Sequence, residues 1–165
     1  MNTQGRNSAY FEGVVDVSII IPTCFENPLK AISINFLADV LLQKRMAVIP
    51  VSAVIGAYHI ATQYLRIPRL TVKKVLQGIL SSGSPALYTQ IDSRIADDAI
   101  DYAATYNLES WDGYLIALTK SLGSTIIYSL DMELAKVREI VVVNPFPPEK
   151  VREYHGFVGK LMDKL

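Results

Sequence analysis

The chain has 165 residues, half of them apolar, and its sixteen basic and sixteen acidic residues give a formal net charge of zero. That length supports one domain with one core, and neutrality excludes a protein that holds nucleic acid by bulk positive charge alone, so such contact needs a local patch or bound cations. Cys24 is the only cysteine, which excludes an internal disulfide or a multi-thiolate metal site and makes an unstapled, cytoplasmic protein the expectation.

Residues 1–10 are mostly polar and are expected to form a loose N-terminal extension. Val14 to Ile21 is a β-branched run interrupted by Asp16 and Ser18, the pattern of a strand covered on both faces. It is too short to cross a bilayer, no basic leader precedes a signal-like segment, and no membrane partner is expected. Asn27-Pro28 supplies a helix start, and Leu29, Ile32, Phe36, Leu37, Val40 and Leu41 recur at helical spacing. Met46 to Val51 is a second strand. Ser52 is positioned to cap a helix carrying Ile55, Ile60 and Tyr64 that stops before Pro68.

A further helix is expected from Thr71 to Leu80, closed by Ser81-Ser82-Gly83-Ser84-Pro85. Ala86 to Ile91 is a strand, and Asp92 caps a helix with Ile95, Ala99, Ile100 and Ala103 on one side. Ser110 is the expected cap of the next, with Trp111, Leu115, Leu118 and Leu122 along its apolar side and Gly123 at its end. Thr125 to Leu130 and Ile140 to Val143 complete the strands. Pro145, Pro147 and Pro148 then stop the sheet, and a short helix follows within a C-terminal extension, residues 148–165. Alternating strands and helices predict an α/β fold with a central, mostly parallel sheet, carried by residues 11–147.

In such a sheet, acids at the carboxyl ends of strands are site candidates. Asp16 breaks an apolar strand, where a charge is costly unless it is paired, hydrated or bound to a cation. Asp131 follows the Ile126-Ile127-Tyr128-Ser129-Leu130 run. Asp112 falls in the first turn of a helix, where the helix end favours an anion. Neighbouring strands can bring the three together, and hard oxygen ligands suit Mg²⁺ or Mn²⁺. Each acid also has a structural reading: Asp112 as helix charge, Asp131 as a turn cap. Glu133 stands beside Asp131 at the same loop. Like charges so gathered repel one another and raise the tendency of at least one to hold a proton.

These residues resemble the PIN-domain family, especially the small toxin ribonucleases of the VapC type. VVDVSIII is similar to the family's first strand, with Asp16 as the acid and Ser18 as the nearby hydroxyl that orients it or a water. WDGYLIALTKSLGSTIIYSLDMEL is similar to the later block, in which one acid opens a helix and another follows the next strand. Asp112 and Asp131 match those positions, with Glu133 at the less constant one. The resemblance spans Val14 to Phe146 and implies a three-layer α/β/α fold. It also implies one or two divalent cations on Asp16, Asp112 and Asp131, and hydrolysis of RNA phosphodiester bonds. It further implies a homodimer and a small antitoxin covering the acidic cleft.

The departure from the family pattern is Gly56, which stands in IPVSAVIGAYHI where a metal-site Glu is usual. Glu26 and His59 are the candidate compensating ligands, His59 because it is three residues along the same helix; a structural histidine is the plainer alternative. Arg66, Arg69, Lys73 and Lys74 form a basic run that can contact RNA phosphate or simply be a solvated helix face. Loss of one carboxylate leaves three functions open: a metal-dependent ribonuclease, a catalytically degenerate PIN-like interaction or RNA-binding module, or another phosphate-processing role.

Overall fold

Five short strands, four of them rich in β-branched residues, form the sheet in a computed structural model that describes residues 11–164. The expected N-terminal extension, residues 1–10, lies outside the described residues. The strands are β1 (Gly13–Val15), β2 (Ala47–Pro50), β3 (Leu87–Tyr88), β4 (Ile126–Tyr128) and β5 (Val141–Val143). Every pairing is parallel, in the order β3-β2-β1-β4-β5. A parallel sheet must be covered on both faces, and the strand residues alternate accordingly. Val14, Val48 and Ile127 pack with α5 (Ser93–Tyr106) and α6 (Ser110–Ser121) on one side. Val15, Ile49 and Tyr128 face the larger cluster on the other.

That second layer holds α1 (Val17–Ile20), α2 (Lys30–Leu41), α3 (Val51–His59), α4 (Arg69–Leu80) and α7 (Pro148–Met162). The result is a three-layer α/β/α arrangement. Helix α7 buries Val151 and Tyr154, and Phe25 meets the rings of Tyr154 and Phe157. Cys24 is buried and unpaired. Among the described residues no helix is long and apolar enough to cross a membrane.

Three local expectations are corrected. The Val14 to Ile21 run is not one strand: β1 ends at Val15, and a helical turn begins at Val17. Asp16 causes the change, because its carboxylate accepts the Val17 N–H at 2.6 Å as a helix N-cap. That bond competes successfully with the β-propensity of Val17, Ile19 and Ile20. Ser52 does not cap α3; Pro50 occupies that position without a side-chain bond. Glu109, not Ser110, is the N-cap residue of α6. Asp92 caps α5 as expected, accepting the Ile95 N–H at 2.8 Å.

Candidate functional site

The strand order reverses between β1 and β4: β2 and β3 extend the sheet one way from β1, and β4 and β5 the other. At such a switch point the connections leave the two central strands in opposite directions, opening a crevice beyond their carboxyl ends. Asp16 is the residue after β1, and Ser129 and Asp131 follow β4. The first turn of α6 brings Asp112 to the same place. All three expected acids line one cavity of about 850 Å³, and Glu109 joins them.

The acids grade from floor to mouth. Asp16 is buried, at 6% exposure, Asp112 is half-buried and Asp131 is exposed. Two serine hydroxyls converge on Asp16 Oδ2, Ser18 at 2.6 Å and Ser129 at 2.7 Å. With the Val17 N–H on Oδ1, three donors satisfy a carboxylate withdrawn from water. Each hydroxyl has one proton, and both are directed to Asp16, so the 3.2 Å Ser18–Ser129 approach is a contact and not a bond. As acceptors, Ser18 takes the Leu130 N–H and Ser129 the Asp131 N–H, both at 2.9 Å. One hydroxyl pair therefore sets the buried acid and ties the loop bearing Asp131 to β1. Asp131 in turn accepts the Glu133 N–H at 2.9 Å.

Burial pushes the Asp112 carboxyl up to about 6, reinforced by the negative charges of Asp131, Asp16 and Glu109. The Glu109 backbone N–H works against that rise, as expected where the third residue of a helix faces its N-cap. Among the described residues no Lys or Arg lines the cavity. The position of Asp112 depends on Gly113 behind it. A Cβ there would overlap the Ala99 carbonyl oxygen and stand 3.1 Å from Ala103 Cβ, so glycine is what allows α6 to seat against α5.

The other expected residues are divided. Gly56 and His59 line the cavity. A Cβ at Gly56 would meet only Val17 Cγ2, at 3.7 Å, so sterics do not forbid a side chain there. Glu26 does not take the missing role: it pairs with Lys30 on the surface and is absent from the cavity wall. Glu133 pairs with Lys136 and contributes only its N–H. Arg66, Arg69, Lys73 and Lys74 are exposed outside the cavity, and among the described residues no carboxylate pairs with them.

Ser129 and Glu109 escaped the sequence reasoning. Ser129 is signalled only as a polar break before Asp131, and Glu109 by its place three residues ahead of Asp112.

Among the described residues the donor chemistry fits a hard divalent cation: carboxylate oxygens, a lining without Lys or Arg, and an enclosed Ser52 Oγ that has no hydrogen-bond partner. Tyr114 approaches that hydroxyl, but not in hydrogen-bond geometry. Among the described residues no three His, Cys, Asp or Glu side chains converge as a ready ligand cluster. One or two carboxylates, with water completing the shell, is the arrangement Mg²⁺ commonly accepts. No protein-family model and no curated protein matches this chain.

Proposed function

We propose that the protein is a divalent-metal-dependent ribonuclease of the PIN-domain kind, with its site at the β1/β4 switch point. The observation that carries this is the lining of one cavity by Asp16, Asp112 and Asp131 without a neutralising Lys or Arg among the described residues. Asp16 is the fixed member, held by Ser18 and Ser129. Asp131 rides on the loop that the same serines anchor, and Asp112 approaches from α6. Bound Mg²⁺ or Mn²⁺ would supply charge stabilisation to the phosphodiester and an activated water. The side chains' task is to hold that charge in place and orient water. Cleavage in this manner leaves a 5′ phosphate and a 3′ hydroxyl. The same acidic opening suits a basic side chain of a small antitoxin, and so a toxin's role.

The test pairs Asp16→Asn with Glu133→Gln. At a hundredfold excess over Kd, cation binding stabilises the folded wild type by about 2.7 kcal/mol. Asp16→Asn should lose most of the Mn²⁺-dependent rise in Tm and the cleavage of RNA, whereas Glu133→Gln should retain both. Equal Mn²⁺ responses in wild type and Asp16→Asn would sink the assignment.

A second reading has its own support in Gly56, where space for a side chain exists but no carboxylate stands. A degenerate PIN-like binding module would then bind RNA without cutting it. Folded protein that binds RNA yet leaves varied structured RNAs intact with Mg²⁺ and with Mn²⁺ would favour this account.

A further inference from the structure

The switch-point cavity has two kinds of wall. Among the described residues its charged side chains, His59 apart, are all carboxylates: Asp16 and Asp131 beyond the strand ends, Glu109 and Asp112 at the start of α6. The other wall is apolar. Val17 and Ile21 reach it from α1 and the turn that follows, and Ala53, Ile55 and Ile60 from along α3 and just past it.

Gly56 stands in that apolar wall. A Cβ there would meet only Val17 Cγ2, at 3.7 Å, so the missing side chain leaves space between α3 and α1. One helical turn earlier on the same face, Ser52 Oγ is enclosed and has no partner. At about 850 Å³ the cavity has the size that takes a small organic ligand.

The two walls suit different chemistry. A hydrated divalent ion satisfies the carboxylates and gains nothing from Val17, Ala53 or Ile60. A phosphodiester needs an intervening cation at the carboxylates and also leaves the apolar wall wet. Each methylene moved from water onto such a wall strengthens binding roughly fourfold. A cation with an apolar body satisfies both walls at once. A primary ammonium is the form that suits carboxylates, because it presents three N–H donors to oxygens that only accept. It carries half the charge of a divalent ion, so the body has to make up the difference.

We propose that the cavity binds a hydrophobic primary ammonium ion in place of the divalent cation, its head among Asp16, Asp112 and Asp131 and its body along the wall opened at Gly56. Ser52 Oγ offers that body one polar partner. The amine site stands on the cavity alone; only the role of the amine as a competitive inhibitor rests on the ribonuclease reading.

Linear alkylamines test this by calorimetry in metal-free protein at fixed ionic strength and pH 7, where the amines are protonated. Affinity should climb with chain length, hexylamine binding about sixtyfold more tightly than propylamine. Hexanol and hexanoate, which keep the body and lack the cation, should bind far more weakly. Mn²⁺ at ten times its own Kd should weaken hexylamine about tenfold, and hexylamine should weaken Mn²⁺ in return. Gly56→Leu fills the space and should cost hexylamine about tenfold more than propylamine. Gly56→Ala, which a helix favours, should flatten the series less and keeps the test open if the larger side chain disturbs folding.

A flat chain-length series, or hexanol binding as well as hexylamine, overturns the proposal. So does hexylamine binding that ignores Mn²⁺ while Mn²⁺ itself binds. The expected series in a protein that neither binds Mn²⁺ nor cleaves RNA supports the amine site and counts against the ribonuclease. Mn²⁺-dependent cleavage that high hexylamine leaves unchanged overturns the amine site and leaves the ribonuclease standing.

Discussion

Carboxylates stand at both ends of the sheet, in opposite circumstances. Ahead of β1, Glu12 is answered in full: Arg45 reaches it at 3.3 Å, and the Tyr128 hydroxyl donates to it. Arg45 also donates to that hydroxyl at 3.2 Å and lies over the rings of Phe36 and Tyr128 at 5.1 and 5.5 Å. At the carboxyl end, Asp16 receives only neutral donors among the described residues, and the half-buried Asp112 faces Asp131 and Glu109. Charge at the first end is internally balanced and contributes to the fold. Charge at the second meets no Lys or Arg among the described residues that line the cavity, and a protein that tolerates such repulsion gains no stability from it.

The strongest way to break this contrast is from behind Asp112. Gly113→Ala forces a methyl group into the Ala99 carbonyl, and α6 must move away from α5. Urea unfolding should show a loss of about 3 kcal/mol. The Mn²⁺ response should fall with it, because Asp112 moves with the helix, while the Glu12–Arg45 end keeps its contacts.

A smaller effect sharpens the contrast through pH. An unfolded Asp titrates near 4, and burial pushes the folded Asp112 carboxyl up to about 6. The folded state therefore holds the extra proton between those values, and this group's contribution to stability falls as pH rises through that window. Replacing it with Asn should stabilise metal-free protein at pH 7 by about 1–2 kcal/mol, less than the full shift implies because the group is partly solvated. Unfolding in EDTA at pH 4 and pH 7 measures it: wild type and Asp112→Asn should diverge toward neutral pH. Constant separation across the range would remove the repulsion argument.

The smallest effect belongs to the balanced end. Arg45→Met leaves Glu12 with only the phenol and should lose about 1 kcal/mol, since the pair is partly exposed. It should leave the Mn²⁺ response intact. A changed metal response would mean that the two ends are not independent.

Much of this arrangement was legible from residue types. The alternation of β-branched runs with helical periodicity located all five strands, and Asp16, Asp112 and Asp131 drew notice because each follows or opens an apolar element. The boundary after Val15 was not legible, because Val17, Ile19 and Ile20 are as apolar in a buried helical turn as in a strand, and only the Asp16 cap decides between them. Trp111 fits an apolar helix stripe by spacing, yet its ring lies at the cavity rim while Leu115 and Leu118 take the core. Glu26 and Glu133 illustrate a different limit: a carboxylate's sequence position does not tell which lysine lies within reach, and both are satisfied locally. Ser129 could not be told from an ordinary strand-end serine until its long-range acceptor was visible.

That serine joins residues 113 apart in sequence, since its hydroxyl ends on Asp16. Closing so long a loop costs chain entropy, and during synthesis the first acid emerges well before its partner exists. A nascent or truncated chain ending before β4 has neither Ser129 nor Asp131 and cannot complete this end of the sheet. The long span between Asp16 and Ser129 thus acts as a timing element, withholding the assembled site until nearly the whole domain has been made.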